Sequence, residues 1–203
     1  MFEKLFRNWN KRRLKDERYA FLFDESPLDE VVVFDTETTG LNPKKDEILS
    51  IGAVKIKNDK IITSEKFSCF VKPTKFVSEE SIKIHQIRNI DLEGAIEARE
   101  AIEQFLAFIG SRTLVGYYLE FDVAMVNKYV KSYLGITLPN PQIEVSGLYH
   151  DKKIKRIPDG VIDLRFDVMM NELGLPLFGK HDSFNDAIMT ALMYVKLQHS
   201  ERL

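Results

Sequence analysis

The sequence predicts an α/β domain on a mixed five-stranded sheet flanked by helices, and three observations predict it. Val31, Val32, Val33 and Phe34 form a short unbroken apolar run, which is how a strand buried on both faces reads. Two segments rich in β-branched and aromatic residues, Ile48 to Ile56 and Ile61 to Val71, flank the turn-forming pair Asn58-Asp59, so they form an antiparallel hairpin. Beyond them, short β-rich runs alternate with stretches of helical spacing, the pattern of strands joined by helices.

The elements follow in chain order. Phe2, Leu5, Phe6 and Trp9 fall at i, i+3, i+4 and i+7, one apolar face of a helix. Its plain reading is a helix packed back on its own domain, and docking to a protein partner such as a polymerase, a membrane surface or nucleic acid is the alternative. Residues 1–29 read as this basic amphipathic extension and residues 30–200 as the main domain, with the break at Ser26-Pro27. After the central strand and hairpin, Ile102, Phe105, Leu106 and Ile109 share a helix face that Gly110 ends. Thr113 to Val115 suit a strand, Asp122 to Leu134 a helix stopped by Gly135, and Val161 to Leu164 a fifth strand feeding a helix that ends near Gly174. A last helix runs from about Ser183 to Gln198. Residues 139–160, with Pro139, Pro141, Gly147, Pro158 and Gly160 and a basic cluster at Lys152, Lys153, Lys155 and Arg156, read as a loop or protruding hairpin.

Composition narrows the class. The 203 residues are 44% apolar and 30% charged, which suits one globular domain. Lys plus Arg number 29 against 31 Asp plus Glu, so no basic bulk marks a nucleic-acid coat. The charge is uneven: residues 1–18 hold seven basic and three acidic side chains, a local +4 that leaves the remainder at −6. A single cysteine, Cys69, excludes an intramolecular disulfide framework and a multi-cysteine zinc site. No apolar run approaches a membrane span or a signal peptide, so the expected location is the cytoplasm.

The chemistry concentrates at Phe34-Asp35-Thr36-Glu37-Thr38-Thr39-Gly40. In a strand, residues i and i+2 point the same way, so Asp35 and Glu37 project together from the end of an apolar strand. Two carboxylates there repel and lose hydration unless protons or cations compensate. All-oxygen ligands suit hard divalent cations, Mg²⁺ or Mn²⁺; acids that cap a neighbouring helix or face solvent are the alternative. Asp122, after Phe121, opens one helix, and Asp186 lies one turn into another. Asp182 and Ser183 are better placed to cap that second helix, which leaves Asp186 to face inward beside Ala187 and Ala191.

Phe34 to Gly40, then Phe121-Asp122, then His181-Asp182-Ser183-Phe184-Asn185-Asp186-Ala187 resemble the three motifs of the DEDDh exonucleases, a family of ribonuclease-H-like fold. Ile84-His85-Gln86-Ile87 resembles the family's Ile-His-x-Ile segment. The resemblance runs from about Val31 to Leu197 and implies removal of nucleoside 5′-monophosphates from a 3′ end with two divalent metal ions. It implies that Asp35, Glu37 and Asp186 hold one ion, that Asp35 and Asp122 hold the second, and that His181 is the general base. It further implies that Thr38 and Leu41 contact the terminal sugar and base, and that His85 and Phe121 line the nucleotide's pocket. Tyr117 and Tyr118 depart from the family's His-Asn pair, so a Tyr117 hydroxyl substitutes for the histidine or its contact is absent. The expected partner is a nucleic-acid 3′ end, DNA before RNA. The rivals are an exoribonuclease and a polymerase-docking subunit with little or no catalysis.

Overall fold

The computed structural model describes residues 2–155, 160–179 and 181–199, with side chains from Leu5 onward. Five strands, β1 (Glu30–Thr38), β2 (Ile48–Lys57), β3 (Lys60–Phe70), β4 (Thr113–Gly116) and β5 (Gln142–Glu144), lie in the order β3-β2-β1-β4-β5. β1 is central, antiparallel to β2 and parallel to β4; β3 extends the antiparallel side and β5 the parallel side. Asn58 and Asp59 both have positive φ, 47° and 60°, which is the primed-turn geometry that matches strand twist in a tight hairpin.

Seven α-helices join the sheet among the described residues: α1 (Phe2–Lys11), α2 (Glu79–His85), α3 (Ala98–Ile109), α4 (Leu119–Leu134), α5 (Val145–Ile154), α6 (Phe166–Glu172) and α7 (Ser183–His199). They cover two faces of the sheet, and the alternation along β1 assigns them. Val32 and Phe34 enter one core with Phe105 and Leu106 of α3 and Val123 and Val126 of α4. Val33 enters the other core with Ala191 and Met193 of α7 and Met169 of α6. A short 3₁₀ helix over Glu17–Phe23 also buries Tyr19, Leu22 and Phe23 in the first core.

Three expectations are corrected. Residues 161–164 join no strand: Val161 is fully exposed, while Ile162 and Leu164 pack on the α7-side core, so their apolar character serves helix packing. The sheet's fifth strand is β5, inside the segment expected to be a loop. That segment instead forms β5 and α5. Asn140 fixes the approach by donating to the carbonyls of Gly110 and Arg112, and Glu144 caps α5 by accepting from Ser146 N at 3.1 Å. The basic cluster is held in part, since Lys153 pairs with Glu172; Arg156 and Pro158 lie outside the described residues.

The third correction concerns α1. It does lie back on the domain, but through its polar side. Arg7 donates to Pro139 O at 2.7 Å and Asp24 O at 2.9 Å. Asn10, 2% exposed, donates to Thr137 O and accepts from Thr137 N. Leu5, Phe6 and Trp9 are 61%, 55% and 52% exposed.

Candidate active site

Sheet geometry sets where the acids go. Asp35 and Glu37 continue the row of Val31 and Val33, so they emerge on the α7 side at the carboxyl end of β1. Thr36 continues the row of Val32 and Phe34 and emerges on the α4 side, where its backbone N–H and its hydroxyl both donate to Asp122 Oδ1, at 2.9 and 2.6 Å. Asp122 thus comes from one layer, Asp186 from the other, and they meet at the end of the strand between them.

Two features bring α7 close enough. A Cβ placed at Gly52 of β2 would sit 2.2 Å from Phe184 N and Ser183 C, so the first turn of α7 rests on bare sheet backbone. Beside it the Ser50 and Ser183 hydroxyls share a buried hydrogen bond of 2.9 Å. Asp182 caps the helix, accepting from Asn185 N at 2.9 Å. His181, with φ of 64°, lies in the preceding turn, and its backbone N–H donates to Asp186 Oδ2 at 3.1 Å.

The result is one open cleft of about 710 Å³ whose lining includes Asp35, Glu37, Asp122, His181 and Asp186. Ligand atoms of Glu37, His181 and Asp186 lie within 4.8 Å of one another. Burial pushes the Asp35 carboxyl well above its usual range, reinforced by Asp122 and Glu37. Burial, then the charges of Asp186 and Asp122, push Glu37 up to about 8. Burial also raises Asp122, against the opposing pull of its two Thr36 hydrogen bonds. Crowded, partly desolvated carboxylates of this kind fit a site for hard divalent cations, because an all-oxygen donor set with excess negative charge is what such ions require.

The cleft's wall contains Leu41, which is 86% exposed, with Tyr117 and Phe121. The Tyr117 hydroxyl donates to Leu164 O at 3.0 Å, and its ring lies edge-on to Tyr118 and Phe166. Thr38 turns its hydroxyl to Gly40 O instead and is not part of the lining. His85 is buried in the wall of an adjoining cavity of about 530 Å³ that shares His181 with the cleft. Its Nδ1 accepts from Ile87 N, and Nε2 has no hydrogen-bond partner. Sequence reasoning missed the parts played by Thr36, Gly52 and Ser50. The alternation of β1 carried a signal for Thr36, a polar residue on a buried apolar row; Gly52 in the middle of a β-branched strand carried one for close backbone approach.

A ribonuclease-H-like sheet with acids gathered at the carboxyl end of its central strand defines a class, the nucleases of that fold. The chain belongs to the exonuclease (RNase_T) family, matched over residues 32–194, and is a DEDD-type 3′-to-5′ exonuclease. It is 31% identical over 166 residues to the DNA polymerase III subunit epsilon of Aquifex aeolicus, covering 82% of this chain and 79% of that protein. It is 33% identical over 170 residues to DNA polymerase III PolC-type of Clostridium perfringens, of which the match spans only 11%. Among solved structures it is similar to E. coli exonuclease I in complex with a dA16 oligonucleotide, with a TM-score of 0.72 and 15% identity, over 85% of this chain and 41% of that one. Cell-death related nuclease 4 gives the same TM-score at 18% identity, over 85% of this chain and 64% of that one. Among the described residues no helix is long and apolar enough to cross a membrane.

Proposed function

We propose that the protein is a DEDDh-type exonuclease that releases nucleoside 5′-monophosphates from the 3′ end of single-stranded or frayed DNA. The observation that carries this reading is the gathering of four carboxylates and one histidine from β1, α4 and the start of α7 in one open cleft. Asp35, Glu37 and Asp186 would hold one divalent cation, and Asp35 with Asp122 a second. When bound, Mg²⁺ or Mn²⁺ would neutralise the scissile phosphodiester's charge and polarise it for in-line displacement.

The chain's own groups do the rest. Thr36 fixes the Asp122 carboxylate with two donors, so that oxygen is oriented before substrate arrives. His181 is exposed at the rim of the cleft, where its imidazole would accept the attacking water's proton. Leu41 and Phe121 offer apolar walls to the terminal base. The unit performing this is residues 30–200, with 1–29 an extension folded onto it.

Support for DNA comes from the polymerase III relatives and from the oligonucleotide-bound structure of similar fold. The test is turnover of matched 5′-labelled DNA and RNA strands with Mg²⁺ or Mn²⁺. Stepwise shortening of DNA, abolished by EDTA and by His181→Ala, is expected; faster shortening of RNA assigns the exoribonuclease reading, and no mononucleotide from either strand overturns the proposal.

A further inference from the structure

We infer that α1 seats the protein on an anionic lipid surface, with the cleft held at the opposite end of the molecule. The first ground is the inverted amphipathicity of the helix. Its polar side is spent on the domain through Arg7 and Asn10, while Leu5, Phe6 and Trp9 face outward. A helix that merely covered its own core would be turned the other way. Two polar side chains bonding to three backbone carbonyls and one N–H fix that orientation.

The second ground is charge. Lys11, Arg12, Arg13 and Lys15 are all exposed at the end of α1, and no acid lies among residues 11–15. The Arg13 guanidinium lies over the Trp9 ring at 4.5 Å, so cation and aromatic form one surface. Leu, Phe and Trp beside a run of four cations, with the next acid, Asp16, paired to Arg18, is the chemistry of a helix lying in a lipid interface. A second copy would bring the same four cations to the contact and be repelled. A groove on a protein needs a rim matched in pattern, whereas this one offers only sign and apolar area.

The third ground is position. α1 docks against Thr137 and Pro139, and Lys15 N donates to Leu134 O, all at or beyond the last turn of α4. Asp122 lies in the first turn of that helix, so about 18 Å of helix, at about 1.5 Å per residue, separates the two. Seating α1 on a surface therefore leaves the cleft open to water. The inference does not depend on the reaction proposed for the cleft.

Trp9 is the only tryptophan, so intrinsic emission reports on this face alone. Full-length protein is mixed with vesicles of phosphatidylglycerol and, separately, of phosphatidylcholine. The expected result is a blue shift and co-sedimentation with phosphatidylglycerol only, weakening as salt is raised. Leu5→Ser with Phe6→Ser should weaken this binding by about tenfold or more, as loss of two inserted apolar side chains requires. The same variant keeps its thermal unfolding and its hydrolysis of oligonucleotides, which shows that it is folded. Unchanged emission with both vesicles overturns the inference, as does binding that survives the double substitution. A shift produced by an oligonucleotide, or by concentrating the protein to a dimeric mass, with none from vesicles, overturns it too and gives the face to nucleic acid or to a second copy.

Discussion

The two ends of the sheet break the same rule in opposite directions. At the carboxyl end of β1, charged groups lose water: Asp122 is buried and Asp35 and Glu37 half-buried, and desolvation above all, with neighbouring carboxylates, raises all three carboxyls above the usual range. At the other end, apolar groups are exposed: Leu5, Phe6 and Trp9 stand out of a helix whose polar side is tucked in. Between them lies ordinary core, with Val32, Val33 and Phe34 at 0–1% exposure. Single exposed apolar side chains such as Leu28, Phe76 and Val161 are ordinary, whereas a group of them on one helix, like a group of crowded carboxylates, marks where a fold meets something outside itself. Crowded carboxyls suit cations, and the outward face of α1 suits the lipid surface inferred for it.

The largest effect separates the ends by chemistry. Asp186→Asn should lower mononucleotide release by about 10³-fold or more while leaving metal-free thermal stability equal or higher, since it removes one of several repelling charges. Loss of stability in EDTA would mean that the acids hold the fold together rather than strain it. Gly52→Ala should come next. Its methyl must displace the start of α7, costing about 1–3 kcal/mol in urea unfolding and a ten- to hundredfold drop in rate, by about the amount a misplaced group costs.

The pH dependence sharpens the comparison further. Glu37 titrates near 4.5 in an ordinary setting and about 8 here, so between these values the folded protein holds a proton that the unfolded chain has released. Stability from this group is present below pH 4.5 and is lost as pH rises towards 8. The unfolding temperature in EDTA should therefore fall across that window, and the gain on adding Mn²⁺ should grow across it. The smallest effects belong to the other end. Asn10→Ala removes two bonds and should cost about 1–2 kcal/mol, whereas Leu5→Ser with Phe6→Ser should stay within about 0.5 kcal/mol per site, both read by thermal unfolding.

The sequence was most legible where chemistry follows local periodicity. Asp35 and Glu37 share a side because strands alternate, the Asn58-Asp59 turn follows from two residues that tolerate positive φ, and Asp182 caps α7 where the last helix was expected to start. It was least legible where a distant partner decides. Residues 142–144 pair with β4 because Asn140 ties the preceding turn to Gly110 and Arg112, which no local pattern in a proline-rich stretch can announce. The periodicity of Phe2, Leu5, Phe6 and Trp9 located a helix, and only the bonds of Arg7 and Asn10 show which way it faces. His85 was expected beside the terminal nucleotide, and the structure places it in the neighbouring cavity that His181 joins to the cleft.

The order in which the chain supplies its acids has a consequence for synthesis. Asp35 and Glu37 emerge early, on a strand whose hairpin neighbours follow at once, while Asp186 arrives only with the final described helix. At roughly 5–20 residues per second, the interval from position 35 to position 186 is about 8–30 s. Over that interval a growing chain carries Asp35 and Glu37 without Asp186, and the cleft is complete only when α7 settles on Gly52. On the metal-holding role proposed for Asp186, a truncated product that lacks α7 should release no mononucleotide.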